Sequence, residues 1–159
     1  MPHKAARALE IMRAFAKKRI SSGRFDSAVL SKAIITGGSE GHVKCKIPVT
    51  PELLNGIGTL HGGAVATMVD SVSTWALVSV GKNVPGVSVD LSISFMKAAN
   101  PGDTVVVEAR VSHLGRRLAF LNVDVTSRST GSLLAQGRHT KFVGGLGEKK
   151  NSTESSSTC

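Results

Sequence analysis

One aspartate, Asp70, lies in an otherwise uncharged and largely apolar run, AVATMVDSVSTWALVSV, that covers residues 64–80. A carboxylate in such surroundings is costly unless it is paired or hydrogen-bonded. The flanking cations in the sequence, Lys46 and Lys82, are distant, which leaves neighbouring threonines as the local partners. Because an unpaired carboxylate in an apolar setting is a candidate for acid–base chemistry, we predict a functional role for Asp70.

A glycine-rich stretch, NGIGTLHGG, occupies residues 55–63 directly before this run. Backbone N–H groups at the beginning of a helix are unpaired, and glycine lets a ligand oxygen approach them closely. The stretch therefore predicts a site for a negative oxygen at the first helical turn. The same residues also fit a flexible glycine turn without a binding role, in which His61 is a structural histidine.

The spacing of Gly62 and Asp70 constrains how they act together. Eight residues of α-helix span about 12 Å, so the two groups cannot reach one reacting carbon from the same helix. If both act, they come from different subunits whose helices run antiparallel across a dimer interface. Small and hydroxylated residues beside Asp70 would allow such close contact. The sequence thus indicates a dimer with composite sites.

The surrounding sequence predicts the elements that position these groups. Two short β-like runs at residues 28–36 and 42–49 are joined by GGSEG, which suits a hairpin. The apolar run that contains Asp70 predicts a helix over residues 64–80 that ends near Gly81. Residues 87–96 then alternate between apolar and polar side chains, as a half-buried strand does.

Three further strands follow in TVVVEARVSH, LAFLNVDVTSR and LLAQGRHTKFV, and the short turns between them favour an antiparallel meander. The predicted fold class is therefore α+β, with a curved antiparallel sheet of about six strands wrapped around a long central helix. We divide the chain into an N-terminal helical segment (residues 1–25), one domain (residues 26–143) and a disordered polar tail (residues 144–159).

The first 24 residues are basic, and Leu9, Met12, Phe15 and Ala16 recur at helical spacing. Two interpretations fit this segment equally well. One is a mitochondrial targeting peptide, which is rich in arginine and poor in acids. The other is an N-terminal helix that packs on the domain.

The chain of 159 residues has a net charge of +9, which favours anionic partners. Aromatic residues make up 4% of it and tyrosine is absent, which argues against a base-stacking nucleic-acid site. No run is long and apolar enough to predict a transmembrane helix. The five histidines and two cysteines lack the spacing of a metal site, so no metal is expected.

Four segments in order resemble the hotdog-fold acyl-CoA thioesterases, a family that includes bacterial phenylacetyl-CoA thioesterases. The segments are NGIGTLHGGAVATMVDSVSTWAL, PGVSVDLSISFMKAANPGD, GRRLAFLNVDV and GSLLAQGRHTKFVG. The resemblance implies the hotdog fold, hydrolysis of acyl-CoA to free acid and CoA, and dimers that pair into tetramers. CoA is then part of the substrate, and no separate cofactor is expected.

The resemblance also implies roles for single residues. Asn55 and the backbone N–H of Gly62 would polarise the thioester carbonyl, with His61 in support. Asp70, acting from the other subunit, would activate a water molecule that Ser88 helps to orient. A rival role for Asp70 is nucleophilic attack that forms an anhydride intermediate, and the sequence does not separate the two.

Coenzyme A carries phosphates, so we expect cations to hold it. The residues assigned to CoA binding are Ser88, Phe95, Lys97, His113, Gly115, Arg116, Arg117, Arg138 and Lys141. His139 lies in the same GRHTK segment and is a further candidate cation.

Two other functions stay open on the sequence alone. A hotdog domain that binds acyl-CoA without cleaving it would be favoured if Asp70 were absent. A basic module for nucleic acid or membrane surfaces would rest on the net charge alone. We predict an enzyme of lipid metabolism that hydrolyses medium- to long-chain fatty acyl-CoA and does not bind nucleic acid. The expected compartment is the cytoplasm, with the mitochondrion as the alternative.

Overall fold

A computed structural model describes residues 2–81 and 83–145 of the chain. In chain order the elements are α1 (Pro2–Ile20), α2 (Phe25–Leu30), β1 (Ile34–Ser39), β2 (His42–Pro48), a 3₁₀ helix (Pro51–Leu53), α3 (Gly62–Leu77), β3 (Val87–Phe95), β4 (Thr104–Leu114), β5 (Leu118–Ser127) and β6 (Leu133–Phe142). The predicted polar tail lies, from residue 146 onward, outside the described residues. None of the described helices is long and apolar enough to cross a membrane.

All six strands form one antiparallel sheet in the order β1-β2-β4-β5-β6-β3. Helix α3 lies across one face of this sheet, and its apolar side chains meet the inward-facing residues of β2, β4, β5 and β6 in the main core. Met68, Val72 and Trp75 of α3 are almost fully buried there. The predicted α+β architecture, one long helix against six antiparallel strands, is confirmed.

The predicted order of the last four strands is wrong at β3. That strand pairs with β6 at the edge of the sheet, and only β4, β5 and β6 form the expected meander. Residues 96–103 cross the end of the sheet instead of closing a hairpin between β3 and β4. Hydrogen bonds of 2.9 Å hold this crossing in place, from the Leu60 N–H to the Ala99 carbonyl and from the Val49 N–H to the Asp103 carbonyl.

Strand β3 is exposed on both faces, although its alternation predicted a half-buried strand. Val87, Val89, Leu91 and Phe95 are 38–60% exposed, and Ile93 alone is partly buried. The cause is its place at the edge of the sheet, where α3 barely reaches the strand and no seventh strand among the described residues pairs with it. The apolar alternation correctly identified β3 as a strand. It did not show that a single chain lacks the surface needed to bury the apolar side chains of β3.

The predicted strand over residues 28–36 is wrong in its first half. Residues Phe25–Leu30 form α2, whose Leu30 is fully buried in the core. Strand β1 begins at Ile34 and continues through Gly37 and Gly38, and the chain reverses at Glu40 and Gly41. The apolar residues 28–30 at the end of this six-residue helix have a pattern that also fits a short buried strand.

Helix α1 packs on the domain, as the second interpretation of the basic N-terminal segment predicted. Ala8, Met12 and Ala16 lie one turn apart on one face and are buried in the main core. The N-terminal helical segment that we predicted as a separate unit therefore shares its hydrophobic core with the domain.

A glycine on β6 allows α3 to approach the sheet closely. A Cβ atom at Gly137 would lie 2.5 Å from the Cγ1 atom of Val69. Any side chain at this position would therefore push the helix outward. Val69 precedes Asp70, so Gly137 also fixes how near that carboxylate lies to β6.

Candidate active site

His61 caps the beginning of α3. Its Nδ1 atom accepts a hydrogen bond of 2.8 Å from the Gly63 N–H, and its own backbone N–H donates to the Leu53 carbonyl at 2.8 Å. Because Nδ1 is an acceptor, the proton of a neutral His61 ring lies on Nε2. A Cβ atom at Gly63 would lie only 3.0 Å from Nδ1, so glycine leaves room for the cap.

Asn55 holds the loop that leads to this helix end. Its Oδ1 atom accepts from the N–H groups of Ile57 and Thr59 at 3.1 Å, and Nδ2 donates to Thr59 Oγ1 at 2.9 Å. An amide group has two N–H donors, so one remains for a ligand. The predicted oxyanion residue is thus also the residue that shapes its own loop.

Gly62 is the first residue of α3, and no acceptor within residues 2–81 and 83–145 takes its N–H. Such a donor at a helix beginning suits a negative oxygen. The ring of Phe95 lies beside it, since a Cβ atom at Gly62 would be 3.5 Å from Phe95 Cε1. The fold therefore brings Gly62 together with the C-terminal end of β3.

Asp70 lies farther along α3, in a cleft of about 190 Å³. Its Oδ1 atom is 3.6 Å from His139 Nε2 and 3.9 Å from Lys141 Nζ. The prediction of an unpaired carboxylate is wrong, because Lys141 on β6, remote in the sequence, supplies a cation beside it. The Asp70 side chain is 48% exposed, so it is reachable from solvent.

The threonines near Asp70 do not bind its carboxylate. Thr67 Oγ1 donates to the Gly63 carbonyl at 2.9 Å, and Thr74 Oγ1 donates to the backbone carbonyl of Asp70 at 2.8 Å. The carboxylate is therefore not a helix residue satisfied by its neighbours, and both its oxygens remain available as acceptors toward the cleft.

His139 connects α3 to Ser88 by hydrogen bonds. Ser73 Oγ donates to the Asp70 backbone carbonyl at 2.9 Å, so it accepts at 2.7 Å from His139 Nδ1. His139 Nε2 then accepts at 2.9 Å from the Ser88 hydroxyl. Burial, followed by the nearby Lys141 charge, lowers the pKa of His139 to about 4, which fits this neutral ring.

The direction of these bonds fixes the Ser88 hydroxyl. Because Ser88 donates its hydrogen bond to His139, its lone pairs are left to accept a hydrogen bond from water. Ser88 and Asp70 both line that cleft. The two residues therefore lie in one cleft of the same chain, and their predicted roles on a shared water molecule stay predictions.

Lys141 is buried, with its Nζ atom 2.6 Å from Thr74 Oγ1. Burial lowers the pKa of Lys141, and the Asp70 charge opposes that change. Gly86 makes room for this side chain, because a Cβ atom there would lie 3.2 Å from Lys141 Cβ and 3.0 Å from the Phe142 carbonyl oxygen. Gly86 also has a φ of +66°, a conformation that suits glycine.

The N-terminal helices contribute to the same cleft. Phe15 and Arg19 of α1 and Asp26 of α2 line it, and the Arg19 guanidinium stacks 5.1 Å from the centre of the Phe15 ring. The segment that the sequence set apart as residues 1–25 therefore forms one wall of the carboxylate site.

The residues assigned to CoA do not form one cluster in a single chain. Lys97 lies near the beginning of β6, where its Nζ is 3.4 Å from Ser132 Oγ, whereas the Arg117 carbonyl accepts from the Val143 N–H beyond the other end. These two ends of β6 are about 30 Å apart. Arg138 faces the outer side of the sheet and Lys141 the inner side.

The turn between β4 and β5 holds the other predicted CoA residues. Gly115 and Arg116 line an apolar cleft of about 290 Å³ at the end of α3, and the His113 ring lies 6.2 Å from that of Phe120. The Gly115 N–H closes the turn on the Leu118 carbonyl at 2.8 Å. Each residue keeps its predicted role as a proposal.

The role of His139 beside Ser88 was not predicted, and Lys141 was assigned only to CoA. The sequence signal that could have indicated this role is the alternation of residues in GRHTK, since every second residue of a strand faces the same side. Gly137, His139 and Lys141 share the buried face of β6. A histidine and a lysine on a buried strand face are rare unless they have partners, so they point to a polar site beneath.

Comparison with known families finds that the Thioesterase superfamily model matches residues 57–134. Human acyl-coenzyme A thioesterase 13 is 45% identical to this chain over 127 residues, which are 80% of this chain and 91% of that protein. Residues 57–134 include Gly62 and Asp70 of α3.

Solved structures give the same result. Zebrafish thioesterase superfamily member 2 superposes with a TM-score of 0.77 and 41% identity, covering 85% of this chain and 94% of that one. A hypothetical thioesterase from Streptococcus pneumoniae, described with coenzyme A, gives a TM-score of 0.71 and 28% identity, covering 79% of this chain and 94% of that one.

Proposed function

The chain belongs to the thioesterase superfamily, has the hotdog fold and is an acyl-CoA thioesterase, and from this premise we propose that its catalytic centre is shared between two subunits. One subunit supplies Gly62 and Asn55, and the other supplies Asp70 and Ser88. The observation that carries this proposal is the placement of the two pairs at opposite ends of β3, an exposed apolar edge strand.

The edge strand supports a specific dimer. An uncovered strand edge readily pairs with another copy, and a two-fold axis places the same residues on both sides. If two β3 strands pair antiparallel about Leu91, the Phe95 end of one meets the Val87 end of its partner. Phe95 lies against Gly62 and Ser88 faces Asp70, so this pairing unites the two halves of the site.

Pairing of β3 also covers the apolar side chains of this strand that a single chain leaves exposed. These side chains make the interface apolar, which suits a medium- to long-chain acyl group. Leu118, Phe120 and Phe142 remain 36–43% exposed elsewhere. They support the expectation that dimers pair further into tetramers.

Hydrolysis at this shared site begins with polarisation of the thioester carbonyl. The Gly62 N–H and the remaining Nδ2 proton of Asn55 donate to the carbonyl oxygen, which gains negative charge as the tetrahedral intermediate forms. One such donor is typically worth about 2.7–4 kcal/mol. His61 supports this arrangement by fixing the beginning of the helix.

Asp70 then acts as the general base. A water molecule donates one proton to the Asp70 carboxylate and another hydrogen bond to Ser88 while its oxygen attacks the thioester carbon. The intermediate collapses by breaking the carbon–sulfur bond, and the CoA sulfur leaves with the proton that Asp70 had accepted. General-base catalysis of this kind contributes typically about 10²–10⁴-fold.

The rival role of Asp70 as nucleophile is distinguished by single turnover in ¹⁸O-labelled water. General-base catalysis places label in the released acid during the first turnover. An anhydride intermediate that water opens at the aspartyl carbonyl places the label first in the Asp70 carboxylate, where mass spectrometry of the protein would detect it.

Subunit mixing tests the shared centre. Asp70→Asn removes the base, and Gly62→Pro removes one donor, so each homodimer should be inactive. Refolded together, half of the dimers carry one intact site, and about a quarter of wild-type activity should return. If mixing restores nothing although mixed dimers form, the shared site is wrong. Acyl-CoA binding without turnover by the wild type would instead indicate a binding domain.

A further inference from the structure

The outward face of α1 is strongly cationic. Its exposed charged residues are Lys4, Arg7, Glu10, Arg13, Lys17 and Lys18. Within the part of the chain that the structure describes, none of the five cations has a carboxylate oxygen within 4.0 Å. At 100° per residue, the five spread over about half of the helix circumference, opposite the buried face.

Folding does not account for this arrangement. Contact with the domain is made by Ala8, Met12 and Ala16 on the other face. Cations in the last turn of a helix are favourable, which explains Lys17 and Lys18. Near the helix beginning the same charges oppose the helix dipole, and the first turn holds Lys4 and no acidic residue.

The shape of the cationic face selects an extended anionic partner. Lys4 and Lys18 are fourteen residues apart, so the cations extend over about 21 Å of helix. A small phosphate ester would meet only two of them at once. Phe25, the first residue of α2, lies five residues beyond the end of α1 and is 83% exposed, an aromatic side chain of the kind that enters the interface of a bilayer.

We propose that α1 docks the protein on anionic lipid bilayers, with its cations among the headgroups and Phe25 at the acyl boundary. Among the described residues of this face, Ile11 is the one large apolar side chain and it is partly buried, so binding is peripheral and mainly electrostatic. Each cation near such a surface strengthens binding roughly fivefold at physiological salt, and added salt weakens it. Acyl-CoA and free fatty acid partition into the same bilayers.

Flotation of the full chain with phosphatidylcholine vesicles, with and without phosphatidylserine, tests the proposal. The test variant carries Lys4→Gln, Arg7→Gln and Lys18→Gln, which lie within about 60° around the helix. The matched control carries Lys44→Gln, Lys46→Gln and Arg128→Gln and loses the same charge from β2 and the turn after β5. Circular dichroism and thioesterase turnover show whether both variants fold.

We expect wild type and control to float with phosphatidylserine vesicles at low salt and to be released by high salt. The α1 variant should bind roughly a hundredfold more weakly, and Phe25→Ala should weaken binding without changing its salt dependence. Equal loss in test and control variants would assign binding to net charge alone and overturn the proposal. So would absence of flotation by the wild type, or tighter binding to single-stranded RNA than to vesicles.

Discussion

The two halves of the catalytic site are built in different ways. The Gly62 half is local, because Asn55 bonds to Thr59 and His61 bonds to Gly63, all within nine residues. The Asp70 half is assembled from α1, α3, β3 and β6, and its key bonds join residues more than fifty positions apart. A short motif can therefore prepare a donor, whereas a positioned carboxylate needs the complete fold.

The strongest test of this contrast is Asp70→Asn. The amide keeps the shape of the side chain but cannot accept the water proton, so kcat should fall by about 10²–10⁴-fold. Asp124→Asn on the exposed face of β5 is the matched control. An Asp70→Asn enzyme that keeps more than a tenth of the activity would remove the base from the mechanism.

Gly62→Pro tests the local half. Proline is accepted at the first helical position but has no N–H, and His61 already has the φ of −64° and ψ of 132° that a following proline requires. We expect kcat to fall by about 10²–10³-fold. Gly62→Ala keeps the donor and should stay near wild type. Equal losses in both variants would indicate a steric effect.

The Asp70 half should be sensitive to acid through His139. Its pKa of about 4 is below the ordinary 6.5, so the unfolded chain binds more protons between these values. The contribution of His139 to the free energy of unfolding is fully present above pH 6.5. It is lost as the pH falls toward 4, by at most about 3 kcal/mol. Urea titrations of wild type and His139→Gln at several pH values measure it. A pH dependence unchanged in the variant would contradict this assignment.

Gly137→Ala tests whether the distance between α3 and β6 is set by the missing side chain. The new methyl would meet Val69, and we expect a loss of about 1–3 kcal/mol in the free energy of unfolding. Gly37→Ala is the control, since a Cβ there has no neighbour within 4 Å. Because Asp70 follows Val69, kcat should fall as well. Full activity at reduced stability would separate packing from catalysis.

Lys141→Met distinguishes the carboxylate site from CoA binding. With Nζ 3.9 Å from Asp70 and the side chain buried, we expect kcat to fall about tenfold while KM for acyl-CoA stays constant. Arg116→Gln should show the opposite result, a raised KM with unchanged kcat. A raised KM in Lys141→Met would return this residue to the CoA site.

The sequence predicted the local half well and the assembled half only in part. Helix α3, the His61–Gly62 turn and the pairing of Asp70 with Ser88 follow from residues near one another in the chain or from the family resemblance. The partners of Asp70 on β6 do not, because strand order decides which residues lie beneath α3. The same cause explains the misplaced β3, whose alternation indicates a strand but not its neighbours.

The chain has one tryptophan, Trp75, and it lines the Asp70 cleft while remaining almost completely buried. All indole fluorescence of the enzyme therefore comes from the wall of its own carboxylate site. Substrate binding and product release at this site can therefore be followed in real time by Trp75 fluorescence, without any attached dye.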